Sequence, residues 1–224
     1  MDELGALVEL ADPEKAEGMA AYHKVARRYL GVSNPQIDDL VQTWRAERDL
    51  DDRLRLANDL WASDIHEARI AAAKLLTQSR IRPDDDAWRL IQSWVPEFDG
   101  WAIADAVMTA GQKRLVADPS RLDQVESWLD QPNMWMRRAA LVGTLPWAKM
   151  NNPKPDELQQ RERILGWAAS LADQKDWFIQ KAIATWLRDL SKRNAPRVQA
   201  FIDQNGDRMR SFARKEALRL VQDR

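Results

Sequence analysis

The feature that most constrains this chain is a short pattern that recurs along it. Five segments, Ala68-Arg69-Ile70-Ala71, Ala104-Asp105-Ala106-Val107, Arg137-Arg138-Ala139-Ala140, Gln180-Lys181-Ala182-Ile183 and Arg214-Lys215-Glu216-Ala217, each have a polar second residue and at least one alanine. Aligned on their second residue they give the column Arg69, Asp105, Arg138, Lys181 and Lys215, at spacings of 36, 33, 43 and 34 residues. Self-similarity at this period is the mark of stacked helix pairs, each burying its apolar face against the next. The expected fold is therefore all-α, a superhelical stack of antiparallel helix pairs of the HEAT/ARM-like solenoid type. Stacking would turn the column into a row of cations on one surface, broken by a single carboxylate, Asp105. Such a surface suits a polyanion, with one chemically distinct residue in its path.

The rest of the chain supports helices. Apolar residues fall at helical rather than alternating spacing, and no hairpin signal appears. Pro13 opens a helix expected to run through Met19 and Tyr22 to Leu30, with Gly31 as its stop; Asn34-Pro35 opens the next. Pairs are then expected at 51–62 with 64–78, 84–94 with 99–117, 119–130 with 133–147, 156–171 with 174–193, and 195–204 with 207–222. Pro83, Pro96, Gly100, Pro119, Pro132, Pro153, Pro155, Pro196 and Gly206 punctuate the breaks. The irregular stretch 149–156 accounts for the 43-residue spacing and is too short for a domain linker, so residues 1–224 read as a single repeat domain.

Composition removes several function classes. The chain has no cysteine and only two histidines, His23 and His66, among its 224 residues. Disulfides, thiolate metal sites and a histidine-rich metal centre are excluded, and a serine or cysteine hydrolase triad is disfavoured. No metal site and no cofactor are expected. No run approaches the length of apolar sequence that spans a membrane, and the acidic first ten residues do not resemble a signal peptide, so a cytoplasmic setting without membrane partners is expected. The net charge of −1 is unevenly spread. Residues 1–132 hold 16 Lys+Arg against 25 Asp+Glu, and residues 133–224 hold 18 against 10. A cationic half can hold phosphates whatever the total charge, although two ordinary charged surfaces would give the same count.

Trp101 and Asp105 lie four apart and so share a helix face, as do Trp177 and Lys181; Trp135 precedes Arg138 by three. Aromatic surfaces interleaved with cations suit contacts to sugar or base together with phosphate. Most of the 11 tryptophans need no such role, because large aromatic rings mainly fill cores. Trp101, Trp135 and Trp177 stand apart only through their spacing from the column. On the residues alone, Asp105 fits an ion-pair ladder with Arg69 and Arg138 as well as it fits catalysis.

Four segments together resemble the AlkD family of bacterial DNA alkylation repair proteins, HEAT-like alkylpurine DNA glycosylases. They are Pro13 to Tyr22, Phe98 to Asp105, Asn133 to Ala140, and Trp177 to Ile183, and the similarity spans roughly residues 13–220. The resemblance implies a concave superhelix, acting as a monomer on double-stranded DNA, that removes positively charged N3- or N7-alkylated purines without flipping the damaged base into a pocket. It implies catalytic roles for Trp101, Asp105 and Arg138. It implies a lesion-site contact for Tyr22, a DNA-facing position for Thr185 and a nucleoid-associated substrate; the repeat column and the aromatic residues spaced from it add DNA contacts for Arg69, Trp135, Trp177, Lys181 and Lys215, with Arg214 beside them. The chemistry suits the residues. A cationic purine is already a good leaving group, and an ionised carboxylate can stabilise the positive charge that builds on the sugar.

One departure from the family pattern stands out. Where the family commonly has a second tryptophan, four residues after the position of Lys181, this chain has Thr185, and a tryptophan follows at 186. One step along a helix turns a side chain by about 100°, so Thr185 is expected to face the groove and Trp186 to turn towards the neighbouring layer. Two other functions fit the same sequence: a non-catalytic relative that binds damaged or branched DNA, and a HEAT-type protein-interaction scaffold.

Overall fold

The computed structural model describes residues 2–221. Among them the regular structure is α-helix with short 3-10 turns, joined by irregular segments, and one isolated bridge pairs Arg28 with Ile65. It divides into two compact units, Met1–Arg114 and Leu115–Arg224. No helix among the described residues is long and apolar enough to cross a membrane.

The first unit comprises α1 (Glu3–Glu9), α2 (Pro13–His23), α3 (Asn34–Glu47), α4 (Leu50–Ala62), α5 (His66–Leu75), α6 (Asp85–Trp94) and α7 (Trp101–Ala117), the last of which belongs to it as far as Arg114. Helix α5 lies at its centre, packed against α3 and α4. Its alanines at 68, 71, 72 and 73 are fully buried, and small side chains let the neighbouring helices approach closely. Trp61 of α4 and Trp94 of α6 stack with centroids 4.5 Å apart and form the outer part of this core.

The helix expected from Pro13 to Leu30 ends early. It stops at His23, where Lys24 adopts a left-handed conformation (φ 56°) and its N–H returns to the Ala20 carbonyl. The physical reason lies in a residue of another helix. Glu67 of α5 is fully buried and accepts the N–H groups of Leu30 (2.9 Å) and Gly31 (2.7 Å), drawing residues 24–33 out of helical geometry. Two charge-assisted hydrogen bonds in a buried setting outweigh the weak propensity that would extend the helix. Gly31 therefore does not cap that helix. It has φ 80° and sits against the Asp12 carbonyl, where a Cβ would have no room. Arg27, whose side chain is nearly buried, ties the same segment to Asp64 (2.8 Å) and Asp99 (2.9 Å).

The second unit contains α8 (Leu122–Glu126) between two 3-10 turns, then α9 (Met134–Gly143), α10 (Leu145–Lys149), α11 (Pro155–Ser170), α12 (Trp177–Ser191), α13 (Ala195–Asn205) and α14 (Ser211–Leu218). Helix α12 is its hub, packed against α9, α10, α13 and α14. The single helix expected over 133–147 is broken at Thr144, whose hydroxyl donates back to the Ala140 and Leu141 carbonyls. Pro146 then opens the new helix α10 where no intrahelical N–H is needed. The last helix is shorter than the expected 207–222, and residue 222 lies outside the described residues. Asn133, Asp176 and Asn194 cap α9, α12 and α13 through their side chains.

Candidate active site and nucleic-acid interface

In the first unit, Trp101 and Asp105 occupy successive turns at the start of α7, both half-buried. They form one wall of a cavity of about 610 Å³. Tyr22 and His23 from the end of α2, Ile37 and Val41 from α3, and His66 and Ile70 from α5 supply much of the remainder. The backbone carbonyl of Asp105 accepts the Thr109 hydroxyl at 2.8 Å, which pins the second turn of this wall.

Aromatic rings cluster beside the carboxylate. Trp101 lies 6.1 Å from Tyr22 in an edge-to-face contact and 5.4 Å from His23. His23 continues to His66 at 4.6 Å, and His66 stacks on Tyr29 at 4.8 Å. Tyr22 is 70 % exposed, so its ring is open to a ligand. His66 is only 6 % exposed. Burial pushes its pKa down to about 4, and the neighbouring His23 and Arg27 charges act in the same direction. Burial also lowers that of His23, while the charge of Glu67 pulls the other way. Both imidazoles are therefore neutral near pH 7.

Arg69 does not join this wall. It is 7 % exposed, and its guanidinium lies 2.9 Å from Glu97 and 3.2 Å from Asp64, 4.3 Å over the Trp61 ring. The cavity reveals the true register: His66, Ile70 and Lys74 of α5 share it with Trp101, Asp105 and Thr109 of α7, each pair 35 residues apart. The column aligned Arg69 with Asp105 at 36, and that one-residue slip rotates a side chain by about 100°. Ile70, not Arg69, lines the cavity with Asp105, and Arg69 is held by Asp64 and Glu97 instead of standing in a row of cations.

The second unit carries a different surface. Trp177, the first residue of α12, is 48 % exposed. It stacks on Phe212 at 6.0 Å and 19°, and meets Phe178 edge-on at 5.1 Å. Phe178 leans on Trp135 at 4.7 Å, and Arg210 caps the Phe212 ring at 5.6 Å. Lys181 and Thr185 follow on successive turns, both half-buried, and Lys215 is exposed. Arg214 lies 3.4 Å from Asp207. Arg138 is 8 % exposed; its Nη1 donates to the Phe178 carbonyl at 3.0 Å, and its guanidinium is 5.9 Å from the Phe178 ring. Trp186 is fully buried, with its indole N–H on the Thr144 carbonyl at 3.3 Å.

Sequence reasoning passes over His23, His66, Glu67, Phe178 and Phe212. The 35-residue spacing from His66 to Trp101 is a usable signal for His66. Nothing local marks Glu67, whose role rests on a segment 36 residues earlier.

The chain matches the model of the DNA alkylation repair enzyme family over residues 4–221. The protein belongs to this family. Its fold is that of a predicted DNA alkylation repair enzyme from Enterococcus faecalis, with a TM-score of 0.77 at 21 % identity over 93 % of this chain and 95 % of that one. AlkD2 from Streptococcus mutans superposes with a TM-score of 0.61 at 17 % identity, covering 94 % and 97 % of the two chains. The smu.31 protein from Streptococcus mutans UA159 gives 0.59 at 19 %, over 75 % and 82 %. No curated protein sequence matches the chain. Membership of a repair family implies DNA as the partner.

Proposed function

We propose that the protein is a DNA glycosylase that excises positively charged N3- or N7-alkylated purines from duplex DNA, with residues 1–224 working as one repeat domain. The observation that carries this reading is the pairing of Trp101 with Asp105 on one face of α7, both half-buried on the wall of the cavity that Tyr22 also lines. In the proposed reaction the C1′–N bond of the nucleotide breaks, and the cationic purine leaves as a neutral base without needing a proton. The charge that develops on the deoxyribose is stabilised by the Asp105 carboxylate, which also orients the attacking water. The Trp101 face covers the sugar and keeps other water away.

The remaining roles follow the resemblance and the repeat column. Arg138 supports the phosphate of the lesion strand. Trp135, Trp177, Lys181, Arg214 and Lys215 hold the flanking DNA, and Thr185 stands where a fully matching relative has a tryptophan wall. Arg69 supports α4 and the segment before α7 rather than a phosphate. The test is release of 7-methylguanine or 3-methyladenine from duplex DNA, wild type beside Asp105→Asn. The proposal predicts release by the wild type and its loss in the variant with DNA affinity retained. No release by a folded wild type that binds DNA favours the non-catalytic reading, which the exposed Trp177 and its cationic neighbours would serve equally well.

A further inference from the structure

Within the first unit, residues 22–27 and 99–101 meet at three places in succession. Tyr22 and His23 lie 6.1 and 5.4 Å from the Trp101 ring. Val25 lies against Gly100, where an added Cβ would come within 3.1 Å of its Cγ2. Arg27 then closes on Asp99 with a two-pronged hydrogen bond, Nη1 donating to Oδ1 at 3.2 Å and Nη2 to Oδ2 at 2.9 Å. Only about 10 Å³ of free space remains where these segments meet, room for one water at most. Packing this close leaves one segment little freedom to shift without the other.

The Arg27 side chain is 4 % exposed, whereas Asp99 is 43 % and Asp64 58 % exposed. A guanidinium withdrawn from water is tolerated only with its charge and donors matched, and its remaining nitrogen, Nε, donates to Asp64 at 2.8 Å. The two carboxylates hold different things. Asp64 sits in the turn between α4 and α5 and also pairs with Arg69. Asp99 sits two residues before Trp101, the first residue of α7. Whatever fixes Asp99 fixes the start of the helix that carries Trp101 and Asp105.

We infer that Arg27 is a positioning residue for that helix: its fork on Asp99 sets where α7 begins and so where Trp101 and Asp105 stand, while its bond to Asp64 serves stability. The consequence for catalysis rests on the glycosylase reading, in which Trp101 and Asp105 act at the sugar. Planar two-point recognition of a carboxylate belongs to arginine, and the single ammonium of lysine cannot reproduce it. A misplacement of about 1 Å at a reacting centre can cost on the order of 10²-fold in rate. Loss of the fork is therefore felt in the chemical step and not in DNA affinity.

The test compares Arg27→Lys, Asp99→Asn, the two combined, and Asp64→Asn, all in the full chain. Asparagine tolerates the left-handed backbone at position 64 (φ 52°). One readout is the single-turnover rate of 7-methylguanine release from duplex DNA at saturating protein. The other is the indole N–H NMR signal of Trp101, assigned with Trp101→Phe. Arg27→Lys and Asp99→Asn should each slow release by about tenfold or more and shift the Trp101 signal. The double variant should be no slower than the singles, because both remove one shared contact. Asp64→Asn should lower stability and leave the rate and the signal as in the wild type. If folded wild type binds DNA but releases no base, the glycosylase reading falls, and the Trp101 signal alone decides whether Arg27 places α7. The inference is overturned if neither single variant moves that signal, if both release base within about twofold of an active wild type, if their losses multiply in the double variant, or if Asp64→Asn slows release as far. Asp99 is exposed, so Asp99→Asn carries the test should Arg27→Lys fail to fold.

Discussion

The signature helix of the first unit, α7, sets its tryptophan and its acidic residue, both half-buried, on the wall of a half-open cavity. Its counterpart in the second unit, α12, turns its tryptophan outward and follows it with a lysine. The charge balance runs the same way: residues 1–114 hold 15 Lys+Arg against 21 Asp+Glu, and residues 115–224 hold 19 against 14. Both helices answer to one repeat pattern, with an aromatic at the first turn and a polar residue one turn on. What differs is what surrounds them. Helix α7 faces α2, α3 and α5, whose aliphatic residues and neutral histidines build a cavity. On α12, Trp177 stacks on Phe212 of α14 and meets its own neighbour Phe178 edge-on, and it stays 48 % exposed. A repeat fixes where a side chain can stand, and its neighbours decide whether it forms a pocket or a platform. On this account the first unit does chemistry and the second holds the polyanion.

The largest effect that sharpens this contrast concerns stability. Trp186 is the fully buried member of the Thr185–Trp186 pair, so Trp186→Ala should destabilise the protein by about 3–5 kcal/mol in denaturant unfolding, through reduced burial and the cavity left behind. A cost below about 1 kcal/mol would mean that Trp186 is not a core residue. A smaller effect comes from the histidine pair. Above pH 6.5, folded and unfolded chains both carry a neutral His66. As the pH falls from there to about 4, the unfolded chain takes the proton first, so stability is lost on acidification. The difference between wild type and His66→Phe should grow by up to about 3 kcal/mol across that window. The groups around the imidazole are His23, Arg27 and Tyr29. A pH-independent difference would show that His66 is not held neutral.

On the side of the second unit, Lys181→Ala with Lys215→Ala should flatten the slope of log K for duplex DNA against log salt by about one to two, since each neutralised phosphate adds about −0.9 to that slope. An unaltered slope would place the DNA elsewhere. The smallest expected change is a gain. Thr185→Trp, on a half-buried position one turn beyond Lys181, should raise the excision rate several-fold, about the value of one sugar-stacking ring. No gain would remove Thr185 from the groove.

Much of the architecture was legible because helix pairs announce themselves through period and punctuation. The burial of Trp186 was legible from the family pattern at 185 and the turn of about 100° per helical residue, and Thr185 beside it is half-buried. Three things were not legible, each for a physical reason. The end of α2 at His23 depends on Glu67, which competes for the backbone from a distant helix. The break at Thr144 depends on a proline that also reads as an ordinary first-turn residue. Arg69 looked like part of a cationic row because charge was aligned where burial should have been; Ile70, 7 % exposed on the cavity wall, holds the register. Two histidines are too few for a metal centre, and that reading of their chemistry hides the ring contacts through which they line the site.

The division of labour between the units is tested most directly by one measurement: the single-turnover rate of 7-methylguanine release from duplex DNA with protein in saturating excess. Asp105→Asn and the double variant Lys181→Ala with Lys215→Ala should be compared with the wild type. A catalytic first unit predicts a loss on the order of 10²–10³ for Asp105→Asn. A second unit that only holds DNA predicts a rate close to wild type for the lysine variant, whose defect lies in affinity and is removed by saturation. Full-rate release by Asp105→Asn, or a collapse of the saturated rate in the lysine variant alone, would contradict that division.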